Sequence, residues 1–563
     1  MSNPSDLGTD NSRDDSAEFS DWVDEAAADE PSGAGRSLIG ASAVPAVGTM
    51  LSRVSGLVRV AALTGALGLT SLADVYNLAN TSPNIIYELV IGGVLSSTLV
   101  PLFIQAHHDQ IQGEGDNSES VMVTVGFVAI TLLTVVAVLL APLINRLFAI
   151  PLHGAELAHQ LDVGDDFLVL LFPQVFFYGI TTMATALLHS RRRFAAPAFA
   201  PVLTNIVISV AALGVYLVLK PEPGKSEMST VYLLGIGTTA GVAAMAVALL
   251  PAIRRADVHL RWDFRPRHPA VKAVMRLSGW TIGFAVANQV ALLLVLAFAR
   301  GAGVGAVSAY QYAFIFFQLP YGLIAVSLMT AVLPELSTFA SAGDDEGFAA
   351  KFREGLSLML TFMIPAAGAY LLFGRAVIAL LLQRGEFDAA ATTQTLAMLN
   401  GFSIGLPAFA VFLYCIRAFY ARRNTRTPFY LNLVENTMNV ILVFPLVALI
   451  GESGLAAAYS SAYWIAAIGA VIVLSRVVPG LIGSDGAAMG AKVLMVSAAV
   501  LAALGLTSIG LPDSLGNIAT LTIALIVAVG VLAGSVVVVK PYGFEPIVAR
   551  ANQELRRLPG RKR

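Results

Sequence analysis

The sequence predicts an all-α polytopic membrane protein with about fourteen transmembrane helices, arranged as two pseudo-symmetric six-helix lobes plus two C-terminal helices. Three observations carry that prediction. Of the 563 residues, 56% are hydrophobic and only 13% are charged, with a mean hydropathy of +0.74. Soluble domains carry about 25% charged residues. Apolar runs long enough to cross a bilayer, which takes about twenty residues, recur between short polar breaks over most of the chain. A motif also repeats: Arg191, Arg192, Pro197 and Asn205 return as Arg422, Arg423, Pro428 and Asn436, each displaced by 231 residues. A repeat of six helices restores the same sidedness, so the two units are parallel and related by an axis along the membrane normal.

The breaks in the apolar runs place helices near 39–68, 75–105, 120–148, 163–189, 198–219, 229–253, 271–300, 306–338, 352–383, 390–420, 428–450, 454–478, 488–509 and 517–540. Several exceed the usual length, so tilt or extension beyond the bilayer is expected. Pro83, Pro101, Pro173, Pro320, Pro334 and Pro407 are the candidate kinks. The expected organisation is a tail at 1–37, an N-lobe at 38–255, a C-lobe at 256–480, two further helices at 481–540 and a basic tail at 541–563. Residues 1–37 hold ten Asp or Glu against two Arg, a composition that stays disordered, so the membrane body is net positive.

Lysine and arginine in the connections set the orientation. SRRRF, RRADVHLRWDFRPRHPAVK, KFR, ARRNTRTP and the terminal RRLPGRKR fall on one side, while GLTSLAD, GESG and LPDSLGN on the other carry no positive charge. Both termini are therefore expected in the cytoplasm. Cys415 is the only cysteine, which excludes an intrachain disulfide or a cysteine metal cluster. No phosphate-binding loop, HExxH or nucleophile elbow occurs. Neither an enzyme nor a resident metal or cofactor is expected, and nothing points to a nucleic-acid partner.

The chemistry concentrates on charges inside the apolar spans. Arg53 and Arg59 are the only charges between Leu38 and Leu69. No apolar stretch there spans a bilayer without including both, at about 2.5–3.5 kcal/mol each near a helix centre. They must face a hydrated cavity or an anionic partner. Guanidinium groups bind phosphate through paired hydrogen bonds and stay charged when dehydrated. Ser52, Ser55 and Gly56 are expected to offer small or polar surface between the two. The competing reading is pairing with acids inside the bundle, where Asp74 and Glu88 are available. Asp74 opens the second helix, a position the helix dipole favours for an acid, and either caps that helix or gates the outer side. Asn84 and Glu88 lie one turn apart further along it, and an intramembrane acid is a functional candidate. Gln318 is a polar position in the eighth helix. Asn432, Glu435, Asn436 and Asn439 share faces of the eleventh helix at i, i+4 spacing. Their oxygens suit Na⁺, or serve as interhelical hydrogen bonds.

SRVSGLVR in the first helix, TSPN in the second, RRRFAAPAFAPVLTN, LLQRGEFDAA and FYARRNTRTP together resemble the MurJ/MviN family of lipid II flippases over about residues 38–540. The resemblance implies a fold of the multidrug/oligosaccharidyl-lipid/polysaccharide exporter type in a bacterial inner membrane. It also implies movement of an undecaprenyl-diphosphate-linked muropeptide from the inner to the outer leaflet by alternating access, in peptidoglycan biosynthesis. Arg53 and Arg59 match the family's critical first-helix arginines and Asp74 its critical outer acid. Two departures give the chain an actinobacterial-like character. Tyr87 and Glu88 stand where many members have a second-helix arginine, and Phe314, Ile315 and Gln318 stand where members often have an Asp-Arg pair. The expected substrate contacts are Arg53, Arg59, Asn84, Glu88 and Gln318, with gating by Asp74 and a lipid-tail groove along helices thirteen and fourteen. Arg300 and Arg417, near helix ends, read as interfacial anchors. Energy is expected from the membrane potential or a Na⁺ gradient, and partners are expected to be lipid II, membrane lipids and cell-wall synthesis proteins. The rivals are a cation-coupled exporter of drugs or another lipid-linked oligosaccharide, and a non-transporting cell-wall scaffold.

Overall fold

In lipid, every backbone N–H and C=O must be satisfied within its own segment, which leaves helices as the solution for a chain this apolar. The computed structural model describes residues 35–90, 99–112, 117–219, 227–256, 258, 260–512 and 514–544, and among these there is no strand. Most of the acidic tail, most of the basic tail and the middle of the expected second helix lie outside the described residues. Twelve segments among them are long and apolar enough to cross a membrane. The expected count of fourteen differs for two reasons. Ser71–Val90, rich in Asn, Ser and Thr, is not among the twelve, and Arg426–Val477 forms one apolar segment although Gly451–Ser453 divides it into two helices.

The prolines act in two ways. Pro173 separates Gly154–Leu171 from Gln174–Ser190, and Pro320 precedes a π-helical turn, Tyr321–Ala325, before Val326–Ala342 continues. Pro83, Pro334 and Pro407 sit inside helices that run through them. Pro101 falls at the start of Val100–Gln112, directly after residues 91–98, so the kink expected there lies at the edge of the described residues.

Two large apolar cores organise the packing. One gathers Tyr76, Phe167, Leu171, Val231 and Leu234, and the other Phe316, Phe317, Met363, Phe402 and Ala467. The Pro269–Ala302 helix runs from a smaller third cluster into the second of these cores. Near its start Ala270 and Val274 pack against Phe103 and Met122, whereas Val295, Leu296 and Ala299 lie in the second core. Gly483–Gly510 and Asn517–Val539 pack on Asp345–Leu382 through Val500, Leu504 and Ala524 against Phe373. The arginine turns repeat: Arg191 pairs with Glu119 at 2.8 Å and Arg422 with Asp345 at 2.7 Å. Arg192 and Arg423, the next residues, both take left-handed backbone at φ 55° and 56°. The charges expected to mark sidedness thus also clamp each turn to the start of a neighbouring helix.

Small residues bring helix backbones together in lipid. Gly405 of Ala389–Ala421 meets Ser460 of Gly454–Val477 so closely that a Cβ there overlaps the Ser460 side chain, and Ser460 Oγ donates to the Gly401 carbonyl at 2.6 Å. Gly405→Leu is therefore expected to destabilise the protein by about 1–3 kcal/mol through overpacking. Thermal unfolding in detergent should show a Tm lowered by about 1–3 °C, with no comparable change for Gly469→Leu, where nothing lies near the Cβ position.

Candidate functional site

A six-residue spacing sends two helical side chains about 120° apart, and Arg53 and Arg59 on Gly35–Leu67 follow it. Arg53 is exposed and points at the C-terminal half: a Cβ on Gly322, within the π-helical turn, would lie 3.0 Å from its Nη1. Arg59 is partly buried and turns toward the N-terminal half, where its charge acts on the phenols of Tyr76 and Tyr178. Its Nε is shielded from solvent and finds no acceptor among the described residues. Ser52, Ser55 and Gly56, on or beside the arc between the arginines, are covered by protein rather than offered as open surface. They face Asn205 of Ala195–Gly214, whose Nδ2 donates to Ser52 O at 3.0 Å and to Ser55 Oγ at 2.9 Å. Those bonds fix the rotation of the arginine-bearing helix.

Among the described residues neither arginine forms an ion pair with Asp74 or Glu88. Glu88 is exposed, and Asp74 is committed elsewhere. Asn84 accepts from Tyr178 Oη at 2.8 Å and donates to the Asn80 carbonyl at 2.8 Å. Tyr178 also stacks on Tyr87 with ring centroids 4.2 Å apart. Tyr178 therefore links Asn84, Tyr87 and the field of Arg59, a role no sequence signal announced. Gln318 is exposed one turn before Gly322, the residue Arg53 touches.

Asp74 joins the two halves. Fully buried, it accepts from Gly305 N at 2.7 Å, Ser308 N at 2.9 Å and Ser308 Oγ at 2.7 Å. It thus caps Ala306–Pro320 from another helix, where free N–H groups and the helix dipole favour an anion. Its own helix is capped by Thr70, whose Oγ1 accepts from Ala73 N. Arg300 lies 3.9 Å from Asp74, donates to Glu156 at 2.9 Å, Gln160 at 3.1 Å and Ser71 at 2.8 Å, and is 1% exposed. It is not the interfacial anchor its position near a helix end suggested. Asn77 extends the joint by donating to Ser308 Oγ at 2.9 Å and Tyr312 Oη at 3.2 Å. Beside it, Glu386 N donates to the Gly65 carbonyl at 3.0 Å, and Gly385 at φ 59° leaves no room for a Cβ against Gly65.

On Arg426–Ile450 the four polar candidates divide. Asn432 and Asn436 both donate to Asn288 Oδ1, at 3.1 and 2.9 Å, and Asn436 also donates to the Asn432 carbonyl. That amide group is interhelical glue, as its Asn205 counterpart is in the first half. Asn432 Oδ1, Glu435 Oε2 and Asn439 Oδ1 remain buried acceptors with no hydrogen-bond partner.

The fold and this joint between two helical halves define a class, that of two-lobed multi-pass membrane transporters. A solved structure described as "Lipid II flippase MurJ, inward closed conformation" superposes with a TM-score of 0.71 at 22% identity, covering 88% of this chain and 98% of that one. An inward-facing multidrug MATE transporter of the MOP superfamily gives 0.64 at 13% identity, covering 78% of this chain and 99% of that one. The chain belongs to the MurJ lipid II flippase family: the family model "Lipid II flippase MurJ" matches residues 63–538. A probable lipid II flippase MurJ of Rhizobium tropici is 30% identical over 76% of this chain and 79% of its own length. The lipid II flippase MurJ of Burkholderia cenocepacia is 30% identical over 72% and 78%.

Asp74→Ala removes the cap on Ala306–Pro320 and leaves Arg300 with one acid fewer, costing the joint about 1–3 kcal/mol. Spin labels at Ala155 in the first half and Thr393 in the second, both exposed, are expected to show a longer and broader distance distribution in the variant. An unchanged distribution would mean that Asp74 does not hold the halves together.

Proposed function

We propose that this protein moves lipid II, an undecaprenyl-diphosphate-linked muropeptide, from the inner to the outer leaflet by alternating access, with both termini in the cytoplasm. The observation that carries the reading is the pair of first-helix arginines, which lack an acidic partner among the described residues, with Arg59 Nε an orphaned donor, in a chain of this family. Buried N–H groups are rarely left unmade, and a diphosphate supplies several acceptor oxygens with the matching charge. Arg53 and Arg59 bind the diphosphate. Asn84, held by Tyr178, and the exposed Glu88 and Gln318 border the polar headgroup, while the polyprenyl tail stays in lipid along Gly483–Gly510 and Asn517–Val539.

Rocking of the halves exchanges access. The Asp74–Arg300 joint keeps the outer side shut while substrate enters from the inner leaflet, and its rupture opens the outer side. The membrane potential or a cation gradient supplies the energy. The open oxygens of Asn432, Glu435 and Asn439, beside Asn436, are where a positive charge is held. Cell-wall synthesis proteins are the partners for the acidic and basic tails.

Liposomes carrying the purified protein and fluorescent lipid II test this directly. Arg53→Gln with Arg59→Gln is expected to lower the flipping rate at least a hundredfold, since each lost charged hydrogen-bond set is worth about 1.5–3 kcal/mol. Full transport by the double variant would sink the mechanism. Removal of residues 1–37 should leave transport intact, whereas a scaffold would lose its function.

A further inference from the structure

Where the two halves meet, a cavity of about 340 Å³ opens beside the Arg426–Ile450 helix. Its polar wall includes Glu435 and Asn439, 2% and 5% exposed. Tyr310, Phe314, Tyr459 and Tyr463 form its aromatic wall, with Phe314 edge-on to Tyr459 at 5.6 Å and Tyr459 and Tyr463 4.7 Å apart. Glu435 Oε2 and Asn439 Oδ1 are acceptors without donors. Among the described residues no lysine, arginine or histidine pairs with Glu435.

A buried acceptor-rich corner of this kind calls for a ligand that only donates. A primary ammonium has three donors and no acceptor, and its charge is also attracted to aromatic rings, four of which line the space beside Leu292, Val295, Leu296 and Ile315. A bare metal ion fits less well. The volume equals that of roughly eleven waters at about 30 Å³ each, far more than a bare ion fills, whereas hard cations take six or more oxygens drawn close around them. The volume instead falls in the range of small-molecule sites, about 300–1,000 Å³.

We propose that this cavity is a subsite for a primary alkylammonium, held by Glu435 and Asn439 and walled by the four rings. Resting on the flippase reading, the group it takes is the side-chain amine of a diamino acid in the peptide headgroup. The substrate is then held at two points of opposite sign. Its diphosphate lies on the arginines of the first helix in one half, and its amine on the acid of the Arg426–Ile450 helix in the other. The cavity reaches both halves: Thr81 also lines it, and Gln311 Nε2 donates to Thr81 Oγ1 at 3.0 Å. Binding at both points draws on contacts that change as the halves rock, and a diphosphate lipid without an amine lacks half of the recognition.

The test has two arms. In the first, Nα-acetyl-lysine amide and its Nε-acetylated form are titrated by calorimetry into the full-length protein in nanodiscs. The amine is expected to bind, the acetylated form at least tenfold more weakly, and Glu435→Gln and Asn439→Ala each to lower amine affinity about tenfold. Equal binding of the two probes overturns the proposal, as does undiminished amine binding in both variants. So does a Glu435-dependent response to NaCl, against choline chloride, with no response to the amine. In the second arm, flipping of lipid II with a free side-chain amine is compared with that of lipid II acetylated there. Acetylation should raise KM about tenfold in the natural protein with little change in kcat, and should make no difference in Glu435→Gln. If neither lipid is flipped, the flippase reading fails while the calorimetry still decides the amine site.

Discussion

A single buried carboxylate holds the two halves of this protein in register. Asp74 lies at the start of one helix and caps another, Ala306–Pro320, that belongs to the opposite half. In a low-dielectric setting an isolated carboxylate is costly, and so are the bare N–H groups of a helix start. Each cancels the other's penalty only while the halves touch. Arg300 completes the arrangement, since its guanidinium also needs Glu156, Gln160 and Ser71 from the first half. A joint made of groups that cannot be left unpaired is bistable: it is either formed or replaced by water.

The remaining intramembrane charges are arranged against that joint. Arg53 and Arg59 stay out of it because Asn205 fixes the rotation of their helix, sending one guanidinium toward Gly322 and the other toward Tyr76 and Tyr178. Glu435 is held apart from both, on a helix whose Asn432 and Asn436 donate to Asn288. Opposite charges that do not neutralise one another inside the protein remain available to a ligand carrying both signs.

Much of this was legible in the chain. The energetic anomaly of two arginines in an apolar span singled out the first helix, and the dipole argument placed Asp74 at a helix start. The 231-residue repeat pointed to Asn205 and Asn436, which make corresponding interhelical amide bonds. What was missed is equally specific. Arg300 reads as an anchor because it lies near a helix end, and nothing in its neighbourhood announces four partners 140 or more residues away. Tyr178 lies in an unremarkable apolar run. That Asn205 covers Ser52, Ser55 and Gly56 is not legible either, because periodicity reports relative angle and not which neighbour fills each side.

By itself the sequence determined the class of molecule: an all-helical membrane protein with repeated halves, a positive body and a few charges that lipid cannot accept. Those properties follow from composition, period and local cost, which act within one helix. Only the tertiary structure decided which charges pair and which stay open. That depends on the rotation of each helix against partners from distant parts of the chain, and on whether a buried donor or acceptor meets its complement there.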